Sequence, residues 1–272
     1  MGYNTSTGSQ ISGQAIFTAN ANDYVALANN TIYQLVLQSD SATVGNNATG
    51  ESGAFVNTVT SASINIAAGS TIFVFVQSSS GTNLSGYTVT DTAGNTYAPA
   101  SLITTSFASP FYQQTRIYST TNVIKNNQTL TASATVTGAG TTNTVGMTIE
   151  VVDILGGPYT IVEGPVTSGS STTFSMSVVA TQPSGIVLES VVYTASGITA
   201  NSPASVIVNV NNSSSGFIQG AAIGSPLSSG TNTITVNQNA PFGNYAATII
   251  AVQSLPFINA PTNASLDIFQ LK

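Results

Sequence analysis

The chain has 272 residues, 42% of them hydrophobic, but only three Lys or Arg and nine Asp or Glu, for a net charge of −6. It contains no His, Cys or Trp. This composition excludes disulfides, thiol nucleophiles, Cys/His zinc sites and imidazole acid–base chemistry, and three cations supply no footprint for nucleic acid or anionic lipid.

An apolar content this high belongs to a packed chain, one that buries roughly 70–75% of its unfolded surface. No run approaches the ~20 apolar residues of a membrane span; the longest is Ile72-Phe73-Val74-Phe75-Val76. The first residues lack the basic and apolar regions of a signal peptide, so either the chain is made and used without secretion, which Met1 favours, or the numbering starts after processing. Gly2 does not open a myristoylation motif, because Thr7 stands one place too late.

In chain order, residues 1–52 hold short apolar patches at 15–17 and 24–27, then a strand at 32–37 with Ile32, Tyr33, Leu35 and Leu37. The Gly/Asn-rich stretch 44–53 reads as a linker. Residues 53–257 form the expected body, either one sandwich or two smaller stacked ones. Strict alternation of apolar and hydroxyl residues at 130–136, 174–178 and 233–236 predicts strands with one dry and one wet face. Denser runs at 71–76, 147–152, 186–193, 206–210 and 245–252 predict strands buried on both faces. Turn signals fall at 78–81, 137–140, 168–171, 211–216 and 228–230. Residues 258–272 form a last arm, with Leu266, Ile268 and Leu271 in a strand able to pair at home or with a neighbour. The predicted fold is therefore an all-β antiparallel sandwich, jelly-roll-like, with extended terminal arms.

Few side chains are left for chemistry. Glu150 and Asp153 lie three apart in one strand and so face opposite sides. Glu163 and Glu189 have no partner that spacing can assign. Asp91, followed by Gly94-Asn95, has the makings of a turn in which the carboxylate bonds the backbone two residues on; a Ca²⁺ site would require further oxygen ligands. Phe107, Phe111, Tyr112 and Tyr118, around Pro110, read as core and rim, with a sugar-stacking surface as the other reading. Eight Asn-X-Ser/Thr sequons are candidate N-glycosylation sites: Asn4, Asn29, Asn47, Asn83, Asn127, Asn211, Asn212 and Asn263. No catalytic, cofactor or metal residue is assigned.

A surface of hydroxyls and amides stays solvated in acid, whereas ion pairs are lost there when the carboxylate is protonated. The composition therefore predicts exposure to an acidic, hot medium.

The stretch Asp91-Thr92-Ala93-Gly94-Asn95-Thr96-Tyr97, followed by Arg116-Ile117-Tyr118 and Asn122-Val123, resembles a jelly-roll-like sandwich module of extracellular and viral surface proteins, in which a D-x-A-G-N-x-Y hairpin precedes an aromatic strand. The resemblance spans roughly residues 54–255. Composition is also similar to that of turret, spike and capsid proteins of viruses of acidophilic archaea, and to archaeal thread-type pilins that donate strands. These resemblances imply a non-enzymatic, virion-surface assembly subunit whose partners are copies of itself, other structural subunits and host-surface glycans. They imply no nucleic acid and no membrane span. The alternatives are an extracellular filament subunit and a carbohydrate-binding adhesin module.

Overall fold

The computed structural model describes residues 24–27, 31–34, 42–53, 56–108, 111–137, 144–182, 184–211, 218–239 and 244–254. The chain divides into two units, Met1–Ser39 with Pro256–Lys272, and Asp40–Leu255. In the first unit the described part is a hairpin. Strand β1 (Tyr24–Leu27) pairs antiparallel with β2 (Thr31–Gln34), placing Val25 opposite Tyr33 and Ala26 opposite Ile32. Of the strand expected at 32–37, Ile32 and Tyr33 thus pair within the chain. Leu35, Leu37, Leu266, Ile268 and Leu271 lie outside the described residues.

The second unit is all-β and antiparallel, a sandwich architecture used twice. Its first half runs β3 (Thr43–Ser52), β4 (Thr58–Thr60), β5 (Ile64–Ile66), β6 (Ser70–Ser80), β7 (Gly86–Asp91), β8 (Tyr97–Pro99), β9 (Thr104–Ala108), β10 (Phe111–Thr120), β11 (Gln128–Leu130), β12 (Ala132–Thr137) and β13 (Thr144–Leu155). The second half runs β14 (Tyr159–Ser170), β15 (Thr173–Ala180), β16 (Gly185–Tyr193), β17 (Ile198–Ala200), β18 (Ser205–Asn211), β19 (Gln219–Pro226), β20 (Gly230–Gln238) and β21 (Asn244–Ser254).

The larger sheet of the first half has the order β3-β13-β6-β10-β8, with β9 also on β10; that of the second is β14-β21-β16-β19-β18. The smaller sheets are β4-β12-β7 and β15-β20-β17. With β5, β9 and β11 left out of the count in the first half, both halves read 1-8-3-6-5 against 2-7-4, so one winding is repeated along the chain. The β5–β11 pair is an addition to the first half.

Strand alternation then builds the layers. On β6, Ile72, Val74 and Val76 point into the first sandwich, against Val59, Val89, Ala134 and Val136 of its small sheet. Phe73 and Phe75, on the other face, meet Ile186, Leu188, Ile250 and Val252 of the second half. Beyond that sheet, Val187, Val191, Ile249 and Ala251 pack on Phe174, Met176, Ile234 and Val236. The unit is four sheets deep, with the two larger sheets inside. Across this central seam β3 lies near β18, β13 near β19, β6 near β16, β10 near β21, and β9 near β14. Eighth meets sixth in both directions and third meets third, while first meets fifth as β3 with β18, and β14 meets β9, the extra strand on β10. The halves are thus related by a pseudo-twofold axis through β6 and β16, the arrangement of an isologous dimer.

Four of the dense runs lie in β6, β13, β16 and β21, which are central strands covered on both faces. The fifth differs. Residues 206–210 lie in edge strand β18, where Val206, Ile207 and Val208 are half-buried because one flank has no described neighbouring strand. The turn expected at 78–81 starts later, since Ser78, Ser79 and Ser80 are buried at the end of β6. Residues 44–53 are no linker. Residues 44–52 lie in β3, which pairs with β13 in the larger sheet. Its glycines serve close packing. A Cβ on Gly45 would stand 2.2 Å from Asp153 Oδ1, and one on Gly50 would stand 2.0 Å from the Thr60 carbonyl oxygen.

Candidate functional site

A buried gathering of polar side chains lies at one end of the seam between the halves. The inward faces of β6, β10 and β13 bring Gln77, Thr115, Thr148 and Glu150 there, and β16 and β19 bring Ser190 and Gly220 from the other side. Except for Gly220, which is buried too, each of these side chains has no exposed surface. Thr148 Oγ1 donates to Gln77 Oε1 at 2.8 Å, Gln77 Nε2 donates to Ser190 Oγ at 2.9 Å, and the Thr115 and Ser190 hydroxyls share a 2.6 Å bond. A hydrogen-bonded chain therefore ties the two sandwiches across the pseudo-twofold axis. Closure needs glycine at 220. A Cβ there would lie 2.3 Å from Thr148 Oγ1, 2.5 Å from Glu150 Oε1 and 2.7 Å from Gln77 Oε1.

Neither carboxyl oxygen of Glu150 has a hydrogen-bond partner. Burial pushes its pKa up to about 8, an effect the nearby Gln77 carboxamide only partly offsets. At neutral pH this group is therefore largely the neutral acid. Tyr193 stands near Glu150, and burial holds its phenol up at about 12.

Glu189 sits on the opposite face of β16, among Val187 and Val191 and beside Ile223 and Ile249 on the neighbouring strands. It is fully buried, its carboxyl oxygens are unpartnered, and desolvation raises its pKa well above the ordinary carboxylate range. Glu163 is exposed on β14 and in register with Ile250, whereas Glu189 is in register with Ile249, so the two carboxyls face opposite sides of the sheet. Glu150 and Asp153 are likewise separated by their strand. Asp153 turns away from the seam toward Gly45 and Ser70, whose hydroxyl reaches Oδ2 at 3.4 Å. Burial raises its pKa against the pull of the Ala67 and Asn46 backbone N–H groups.

Asp91 forms the turn foreseen for it and organises more than that turn. Oδ1 accepts from the N–H of Ala93 at 2.9 Å and of Asn95 at 3.1 Å. Oδ2 accepts from Asn95 Nδ2 and Tyr97 Oη, both at 2.7 Å. Gly94, at φ +78°, supplies the left-handed residue the turn requires. The segment is not a hairpin, because β7 pairs with β12 and β8 with β10. It carries the chain from the small sheet to the large one. Among the described residues no group of three or more His, Cys, Asp or Glu side chains converges to hold a metal ion.

Of the aromatic group, Tyr118 is a core residue, 4% exposed, whose hydroxyl donates to the Tyr87 carbonyl at 2.9 Å. It cannot stack on a sugar, and Tyr112 is half-buried. The side chains of Phe107 and Phe111 lie outside the described set. Four sequons are exposed. Asn47 lies in strand β3 rather than in a loop, Asn83 follows β6, Asn127 precedes β11, and Asn211 ends β18. Asn83 Oδ1 accepts from Gln114 Nε2, and Asn127 Oδ1 from the Ala68 N–H. Asn4, Asn29, Asn212 and Asn263 lie outside the described residues.

No helix among the described residues is long and apolar enough to cross a membrane. No family model, no curated protein and no solved structure matches the chain.

Proposed function

We propose that this chain is a non-enzymatic building block of a surface assembly, a virion surface protein (capsid, turret or spike component) of an archaeal virus from a hot acidic habitat. The strand order 1-8-3-6 against 2-7-4 is read as a jelly roll, wound twice, in which strand 5 has moved beside strand 6. The observation that carries the reading is the chemistry of the outer faces. On one small sheet Thr58 bonds Thr135 and Thr60 bonds Ser133, at 3.0 and 2.8 Å; on the other Ser175 bonds Thr235 and Ser177 bonds Thr233, at 2.8 and 2.7 Å. Hydroxyl ladders of this kind do not titrate, so they hold in acid where ion pairs fail. Glu150 and Glu189, being buried as neutral acids, favour acid for the same reason.

Growth of an assembly has a natural place at the sheet edges. Strands β3 and β14 have a described partner on one side only. Unpaired edges recruit strands from other chains. Val166 on β14 is 39% exposed, which favours strand donation and supports the filament as the second reading. Electron microscopy of the purified protein in acid, with sedimentation at several concentrations, tests both. Closed particles or rings support the first reading and long fibres the second. A protein that stays monomeric under every condition overturns both.

A further inference from the structure

We propose that Glu150 is a proton-held latch between the two sandwiches: the neutral carboxyl lets the seam close over it, and loss of its proton drives the halves apart. The geometry allows little else. Glu150 projects from β13 into the dry seam, and β19 meets it with bare Gly220 backbone. From β6 it is faced by Phe75 and Gln77, and from β16 by Ser190, none of them charged. On the neighbouring edge strand Glu51, in register with Thr148, points to the same face but is exposed to water. Among the described residues Tyr193 is the titratable group whose charge bears on it.

No described cation stands on this face. Arg116 lies on the other face of β10, bonded to the Ser101 carbonyl and over the Tyr118 ring, and Lys125 is in the loop after β10. A carboxylate formed here has neither a counter-ion nor water unless the seam opens. The neighbouring polar chain sets the place of opening. Three of its hydrogen bonds are side chain to side chain, and two of them, Gln77–Ser190 and Thr115–Ser190, cross the seam. These give way without breaking a strand ladder.

The sign follows from burial. The folded state holds the proton that the unfolded state loses above its ordinary carboxylate pKa, so the closed form is favoured in acid and weakened as pH rises toward about 8. Glu189 is the internal control. Its carboxyl lies within the core of the second sandwich, so its ionisation loosens that core rather than the seam.

The test follows binding of an apolar-surface dye between about pH 4 and about pH 9 in the wild type, in Glu150→Gln and in Glu189→Gln. A disulfide variant, Thr115→Cys with Ser190→Cys, closes the seam covalently. With Glu189→Gln as the background, so that loosening of the second core adds no dye, the protein keeping Glu150 is expected to gain dye as pH rises past 7, while adding Glu150→Gln or the oxidised disulfide keeps the seam closed. Equal opening with and without Glu150→Gln in that background overturns the proposal, as does a protein keeping Glu150 that never opens. Should Glu150→Gln fail to fold, the infrared carbonyl band of protonated carboxyl decides in Glu189→Gln. It is expected to persist at neutral pH and vanish together with seam opening, and its loss well below neutral pH overturns the latch.

Discussion

Asp91 accepts four hydrogen bonds from three residues no further along than Tyr97, and each is local enough to be read from the spacing of Asp, Gly, Asn and Tyr. Replacing it by Ala removes all four and leaves the Tyr97 hydroxyl to find another acceptor. A loss of roughly 2–3 kcal/mol is expected from urea unfolding, with Tyr97→Phe costing about 1 kcal/mol. Gly220 teaches the opposite lesson. Nothing adjacent in sequence marks it, yet three oxygens from β6 and β13 crowd the place where its Cβ would go. Gly220→Ala is expected to destabilise by about 1–3 kcal/mol through overpacking, a shift readable in the same unfolding curves. Glu150 and Glu189 are also undistinguished in sequence. Both stand in apolar runs, and only the pairing of faces reveals that one lies in the seam and the other in a core.

Strand by strand, the two-residue period identified β12, β15 and β20 of the small sheets, because alternation is a local property that every neighbouring strand preserves. Four of the five dense apolar runs are likewise legible as central strands, and β6 shows why. Its even residues fill one core and its odd residues another, so neither face can be polar until the seam turns hydrophilic at Gln77. Truncating Phe75 to Ala is expected to cost about 3–5 kcal/mol, and truncating half-buried Ile207 on edge strand β18 markedly less, when the two are compared by thermal unfolding. The misread segment is equally instructive. Gly and Asn in β3 resemble a linker because composition alone cannot separate a glycine that loosens a chain from one that lets another backbone approach. The edge position of β18 is invisible for a similar reason: edge or centre depends on strands far away in sequence.

For the molecule as a whole, titration runs opposite to that of a protein held by ion pairs. Glu150 and Glu189 bind protons more tightly folded than unfolded, so stability is full below the ordinary glutamate pKa of 4.5 and falls as pH rises, for Glu150 toward about 8. For Glu150 alone the accumulated loss is on the order of 5 kcal/mol. The melting temperature is therefore expected to be highest in acid and to decline through neutrality, and the double variant Glu150→Gln, Glu189→Gln should flatten that decline. A melting temperature that rises with pH over this window would contradict the account. By itself the sequence determined the all-β class, the scarcity of ionic chemistry and the period of the strands, since these depend on composition and on contacts between neighbours in the chain. Only the tertiary structure decided that one winding is used twice, that the copies meet about a pseudo-twofold axis, and that a lone carboxyl is enclosed where they meet. Those outcomes depend on which faces bury one another across more than a hundred residues, and no local pattern records that choice.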